Sequence, residues 1–295
     1  MPAMNRRSFL VSASLPSVAA ALQGPATRAY DVRAEIRRYR KIDAHNHIFD
    51  TVEPREVIAA ADRLGIEKVA ISMPIRASKP ESATPAAFRE ANDFVLRAMK
   101  DFPGRFLGQC FVNPYYGSAA LEEITRCIES GMIGLGELYT QVRLTDPRYV
   151  PIIEKCIELK VPLLSHGAEG RKDWRDPARP GGSNANDFAA IGARYPEAMI
   201  IYGHIGGGGD WEYVCKVLRD APSIYADTSG SVTDEGMIDF AVQCLGVRRL
   251  LFATDLSFEN GVAKILAAKL TEAERRQIFF ENFNQILRKR GNHVH

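Results

Sequence analysis

The chain has 295 residues, 46% hydrophobic and 25% charged, which is the composition of a folded globular protein and not of a disordered or fibrous one. Lys and Arg total 38 against 36 for Asp and Glu, with no dense basic stripe, so nucleic acid is excluded as an expected partner. The five cysteines, Cys110, Cys127, Cys156, Cys215 and Cys244, are odd in number, widely spaced and without a CxxC pair, which excludes a disulfide framework and a zinc-finger scaffold.

Residues 1–29 differ from the rest. Arg6 and Arg7 precede Ser8, Phe9 and Leu10 and an Ala-, Ser- and Leu-rich stretch that ends at Leu22. That stretch is shorter than the about 20 residues a helix needs to cross a bilayer, so no stable membrane anchor is expected. Paired arginines, a short apolar segment and small residues at its end make an export signal. The run NRRSFL resembles the twin-arginine type, an address and not an anchor, which implies a periplasmic or extracellular protein. Cleavage after Ala21 and cleavage after Ala29 both fit. The second leaves residues 30–295 as a single catalytic domain, close to the about 250 residues of one α/β barrel.

From there short apolar runs alternate with longer amphipathic ones. A strand is expected over 41–49, then a helix over 53–64 that stops at Gly65. A strand over 68–75 is followed by a helix over 84–101, ended by Pro103. Strand 106–113 leads to helix 118–130, with Ser118 as N-cap and Gly131 as terminator. Strand 134–139 precedes a helix opened by Asp146-Pro147. Strands 161–166, 199–204 and 223–228 precede helices 187–195, 210–218 and 234–244, and strand 249–255 precedes a last helix over 271–290 with a Thr271/Glu274 capping box. Most strands are continuously apolar, as strands buried on both faces are. Eight strand-helix units in order predict a parallel (β/α)8 TIM barrel.

The informative polar residues fall at the ends of these strands, and in such a barrel those ends share one face. His45 and His47 end the first, Glu137 the fourth, His166 the fifth, His204 the sixth and Asp255 the eighth. Residues two apart on a strand point the same way, so His45 and His47 can aim two imidazoles at one point. Imidazole and carboxylate donors suit a divalent metal, with Zn2+ the leading expectation and Mn2+ or Fe2+ compatible. His293 and His295 lie in the last three residues and are set aside as a fraying end.

An HxH on strand one, a His on strands five and six and an Asp on strand eight resemble the amidohydrolase superfamily. DAHNHIF, GHIGG and FATDL most resemble its amidohydrolase-related (amidohydrolase 2) branch of hydrolases, lactonases and nonoxidative decarboxylases. The resemblance implies a metal-dependent hydrolase in which a metal-activated water attacks an amide, ester or lactone carbonyl of a small molecule. Asp255 then takes the proton and passes it to the leaving group, and His204 or a metal stabilises the oxyanion. The alternative is nonoxidative decarboxylation of a small carboxylic acid on the same scaffold with one metal. Glu137 either bridges two metals or is a supporting carboxylate that orients a metal-bound His. In the first case His45, His47 and Asp255 hold one ion and His166 and His204 the other. In the second, His45, His47, His166 and Asp255 hold a single ion and His204 is free for acid or carbonyl-polarising work.

Around this centre, Asn113, Tyr139, Arg143, Arg171 and Trp174 are the expected substrate contacts, beside Tyr115, Tyr116 and Gln141. The long loop after His166 carries Arg171, Lys172, Arg175 and Arg179 and reads either as a cationic lid or as a solvated surface loop, with Asp173 and Asp176 offsetting charge. Gly206 to Gly209 precede a helix and read as an anion-binding turn or as a close backbone approach. Asp43 is a supporting carboxylate or part of the barrel floor. The partner is a small-molecule substrate, and a homo-oligomer is left open.

Overall fold

The computed structural model describes residues 31–75, 79–139, 142–167, 182–207 and 210–295. Residues 33–295 form one compact unit, the barrel. The expected export signal lies outside the described residues.

Eight parallel strands pair in sequence order: β1 (Ile42–His47), β2 (Lys68–Ser72), β3 (Phe106–Cys110), β4 (Gly134–Leu138), β5 (Leu163–His166), β6 (Ile200–Gly203), β7 (Ile224–Asp227) and β8 (Leu250–Leu251). Backbone bonds from Ala44 N to Phe252 O and from Asp255 N to His45 O, both 2.9 Å, bring the segment after β8 back onto β1. The arrangement is the expected (β/α)8 TIM barrel.

The surrounding helices are α1 (Val32–Arg37), α2 (Pro54–Arg63), α3 (Pro85–Asp101), α4 (Gly117–Glu129), α5 (Val150–Leu159), α6 (Ala185–Arg194), α7 (Trp211–Arg219), α8 (Met237–Leu245), α9 (Phe258–Ala267), α10 (Glu272–Arg276) and α11 (Asn282–Arg288). The apolar faces of α2 to α9 pack on the outside of the strands around Phe88, Phe188, Cys215 and Phe252. A separate inner cluster takes Ile42 and Ala44 of β1, Ala70 of β2, Ile133 just before β4, Leu164 of β5, Ile201 of β6 and Leu251 of β8, and is joined by Phe283, Ile286 and Leu287 of α11. Among the described residues no helix is long and apolar enough to cross a membrane.

Several expectations are corrected. The helix expected over 271–290 starts at the Thr271/Glu274 capping box but breaks into α10, a π-helical turn at Gln277–Glu281 and α11. Ser118 does not cap α4: Asn113 instead accepts from Tyr115 N at 3.1 Å and begins a 3-10 turn, Pro114–Tyr116, that runs into the helix. α1 and α9 were not foreseen.

Two bulges matter for the site. Asp43 pairs with Val69 and Asn46 with Ile71, three steps on β1 against two on β2. Leu135 pairs with Leu163 and Leu138 with Ser165, again three against two, around Glu137. An extra residue re-aims the side chains beyond it, so β1 gives Ile42 and Ala44 to the inner cluster and still turns His45 and His47 together into the mouth. Gly136 allows the second bulge: a Cβ there would lie 2.7 Å from Leu164 Cβ.

At the start of β1, Lys41 is fully buried and donates to the carbonyls of Tyr39, at 2.9 Å, and Ile36. Burial pulls its pKa down to about 8, with Glu67 offsetting only part of the effect. In the unfolded chain the ammonium titrates near 10.4, so between the two values the unfolded state holds the extra proton and stability rises with pH. Relative to Lys41→Met, the wild type is expected to gain about 3 kcal/mol between pH 8 and 10.5. Urea unfolding of both proteins across that window checks it; a constant difference would show that the ammonium keeps its ordinary pKa.

Candidate metal centre

The strand ends deliver six donors to one point. His45 and His47 come from β1, Glu137 from β4 and His166 from β5, while His204 and Asp255 follow β6 and β8. Both of the last two hold left-handed backbone, at φ 71° and 45°, which non-glycine residues adopt at a cost of order 1–3 kcal/mol and which turns them out of strand geometry. The resulting contacts are close. His45 Nε2 lies 3.1 Å from His47 Nε2, and His47 Nε2 lies 3.2 Å from Asp255 Oδ1. Glu137 Oε1 lies 2.7 Å from His166 Nδ1 and 2.8 Å from His204 Nε2, while its Oε2 faces His47 and His45 Nε2 at 3.5 and 3.7 Å. His204 Nε2 lies 3.1 Å from His166 Nδ1.

These atoms form two sets of three, His45/His47/Asp255 and Glu137/His166/His204, each drawn within 4.8 Å. A third set, His45/His204/Asp227, meets the same test and contains Asp227, which the sequence analysis did not single out. Asp227 ends β7 in YADTS; an acid closing a barrel strand was the signal available. It accepts from His45 Nδ1 at 2.8 Å. His47 Nδ1 lies 3.2 Å from Ser72 Oγ, which also accepts from Glu137 N at 2.9 Å.

The donor set fits a divalent cation. The Nδ1 atoms of His45 and His47 have protein partners on their outer sides, so the Nε2 atoms face each other across about the 3.3 Å expected for two nitrogens on one tetrahedral ion. Three carboxylates share the pocket. Burial alone would raise the pKa of each, but the histidines around them reverse it: Glu137 is held well below the usual carboxylate range, and Asp227 and Asp255 are also lowered. Burial would likewise lower the histidines, yet Asp227 and Glu137 hold His45 well above its ordinary value, and Asp255 and Glu137 raise His47. Without an ion, protonated histidines balance the buried carboxylates; a divalent cation would supply that positive charge in place of the protons.

Asp43 turns out to be a clamp. Its Oδ1 accepts from His45 N at 3.2 Å and Thr254 N at 3.0 Å, and its Oδ2 from Asn46 Nδ2 at 2.8 Å and Thr254 Oγ1 at 2.5 Å. It fixes the HxH segment against the Asp255 turn.

The expected substrate contacts separate. The Tyr139 ring lies 4.4 Å from the His166 ring, at the centre. Asn113 is buried and bonded to Ala83 O at 3.1 Å, and Arg143 pairs with Asp187 on α6. Gln141, Arg171, Lys172, Trp174, Arg175 and Arg179 lie outside the described residues. So do Gly208 and Gly209, but Asp210 accepts from Tyr213 N at 3.3 Å and so fills the α7 terminus where an anion was considered. Gly206 serves close packing: a Cβ on Gly230 would lie 2.4 Å from Gly206 C.

Comparison with known proteins identifies the setting. A curated gamma-resorcylate decarboxylase from Polaromonas sp. (strain JS666 / ATCC BAA-500) is 24% identical over 277 residues, covering 77% of this chain and 85% of its own. The fold is shared with a dihydroxybenzoic acid decarboxylase from Polaromonas sp. JS666 solved with manganese and 2-nitroresorcinol (TM-score 0.65, 19% identity, 85% of this chain and 97% of that one). It is shared too with a 5-carboxyvanillate decarboxylase from Novosphingobium aromaticivorans DSM 12444 solved with manganese and 4-hydroxy-3-methoxy-5-nitrobenzoic acid (TM-score 0.62, 21% identity, 81% of both chains). These relatives overturn hydrolysis as the leading expectation, because they are decarboxylases, and the two solved structures hold manganese where zinc was expected here. The amidohydrolase family model matches residues 42–288, nearly the whole barrel, and the chain belongs to that family.

Proposed function

We propose that this protein is a metal-dependent nonoxidative decarboxylase of a small hydroxylated aromatic carboxylic acid. The observation that carries the reading is the uneven exposure of the cluster's acids: the Asp255 side chain is 29% exposed, Glu137 2% and Asp227 0%. One carboxylate can therefore reach a substrate while the others are committed to the histidines. The names of the relatives support an aromatic acid with a neighbouring hydroxyl. The Arg6–Arg7 segment supports export by the twin-arginine route.

His45, His47 and Asp255 would hold one divalent ion, with Glu137, His166 and His204 beside them. When bound, the ion supplies positive charge that anchors the substrate's carboxylate and adjacent hydroxyl. Asp255, ionised at rest beside the histidines, would take up a proton at Oδ2 through its exposed side in each turnover and pass it to the ring carbon bearing the carboxylate. The ring–carboxylate bond then breaks, its electron pair returns to the ring, and carbon dioxide leaves. One proton is consumed per turnover, and Asp255 regains it from solvent through its exposed side. Tyr139, against His166, provides an aromatic wall for the substrate ring.

The test is to load the purified protein with Mn2+ and follow carbon dioxide released from 2,6-dihydroxybenzoate and a panel of ortho-hydroxylated benzoates. Release from at least one acid, abolished by chelation and restored by Mn2+, is expected. No release across the panel from protein shown to carry metal would overturn the proposal.

A further inference from the structure

Asp227 and Ser229 touch two histidines at once. Asp227 Oδ2 faces His45 Nδ1 at 2.8 Å, and Asp227 Oδ1 accepts from His204 N at 3.0 Å and Ser229 N at 2.9 Å. The same Oδ1 lies 2.6 Å from Ser229 Oγ, which lies 2.8 Å from His204 Nδ1. We propose, building on the metal-centre reading, that Asp227 and Ser229 form one positioning relay that keeps a proton on Nδ1 of both His45 and His204, so that both Nε2 atoms present lone pairs to the centre.

The proton count gives this result. Backbone N–H groups can only donate, so Asp227 Oδ1 is an acceptor towards His204 N and Ser229 N. Oδ1 already receives two backbone N–H groups, so any proton on Asp227 would sit on Oδ2 and never on Oδ1. Oδ1 therefore has no proton to give, and the short contact to Ser229 Oγ is the hydroxyl donating to Asp227. A serine hydroxyl has one proton. With that proton spent, Ser229 Oγ can only accept from His204, which places a proton on His204 Nδ1. On the other oxygen, Asp227 accepts from His45 Nδ1 directly. One acid thus sets two imidazoles, one by contact and one through a hydroxyl.

The turn that carries the relay is braced from outside. Lys264 Nζ and Asn260 Nδ2, both on α9, donate to Gly230 O at 2.8 and 3.2 Å. Gly230 has φ 98° and lies where a Cβ would strike Gly206. α9 therefore holds Ser229 in register with the residue after β6 whose imidazole it orients.

The relay is tested by the Mn2+ affinity of wild type, Asp227→Asn, Ser229→Ala and Ser229→Thr, measured by calorimetry without substrate, together with ring 15N NMR of the histidines. In Asp227→Asn the oxygen receiving three donors must stay the carbonyl, so the amide nitrogen turns to His45 and moves its proton to Nε2. Mn2+ affinity is expected to fall about 10–100-fold, the range for loss of a ligand-orienting partner. Ser229→Ala is expected to weaken binding less, and Ser229→Thr, which keeps the hydroxyl, to restore it. In the wild type, His204 is expected to carry its proton on Nδ1 both metal-free and Zn2+-loaded. A His204 without a proton on Nδ1, or unchanged Mn2+ affinity in folded Asp227→Asn, overturns the relay. A wild type that binds no Mn2+ but shows His204 protonated on Nδ1 overturns the metal reading and leaves the relay standing.

Discussion

Replacing Asp255 by asparagine is expected to slow decarboxylation by about 10²–10⁴-fold, the contribution of a positioned general acid or base, while the barrel stays folded. Asp255 is the acid of the cluster that reaches the open side, and its Oδ2 is the atom assigned to carry the proton. Asparagine keeps the shape and can still offer one oxygen, but its amide cannot cycle a proton at neutral pH. The effect should therefore fall on kcat, with substrate affinity less affected. At 1.36 kcal/mol per tenfold it corresponds to about 3–5 kcal/mol of transition-state stabilisation. Single-turnover rates of the Mn2+-loaded variant decide it. A rate within a few-fold of wild type would show that the ring proton comes from another group.

Removing one of the paired imidazoles, His47→Ala, should abolish turnover by emptying the site. The expected loss of Mn2+ affinity exceeds the about 10–100-fold that follows loss of a mere supporting hydrogen bond. It can be read without any assay of activity. A ligand present at about 1,000 times its dissociation constant stabilises the folded state by about 4.1 kcal/mol. In a chain of this size that raises Tm by on the order of 10 °C. Mn2+ should produce this rise in the wild type and little of it in His47→Ala. Equal rises in both would place the ion elsewhere. The metal-free variant should itself remain folded, because His47 meets Asp255 and Glu137 through electrostatic contacts and is not part of the apolar packing.

The eight strand starts were legible in the sequence to within two residues, because most open a continuous apolar run that both the inner cluster and the helices need. Three of the strand ends were not: the second, third and eighth stop three or four residues short, at Ser72, Cys110 and Leu251. The last strand was expected to reach Asp255, and the ladder stops at Leu251. Beyond it Thr254 N bonds to the Asp43 side chain of β1 in place of a strand carbonyl, and Asp255 and Leu256 turn left-handed. His204 leaves β6 in the same way. Apolar periodicity reports pairing, whereas the site begins where pairing ends. The convergence of His45, His47, Glu137, His166, His204 and Asp255 was foreseeable from their places at strand ends. Asp227 was overlooked because the reading followed histidines. The pairing of Asp43 with Thr254 could not be read at all, since a hydrogen bond across 211 positions leaves no spacing to detect.

Asp43 and Thr254 stand 211 positions apart, and the bonds between them, with Asp255 N on His45 O, stitch the first strand to the last. No partial chain can make these bonds. A polypeptide still short of Thr254 on the ribosome presents His45 and His47 without the clamp that orients them and without the acid that completes their donor set. A chain clipped after α8 returns to that condition. Closing so long a loop is the slow, non-local part of building such a fold. On the proposed metal reading, metal capture would be tied to completion: an ion held at this seam would mark a molecule whose two ends have met, and metal occupancy would gauge the fraction of closed barrels in a preparation.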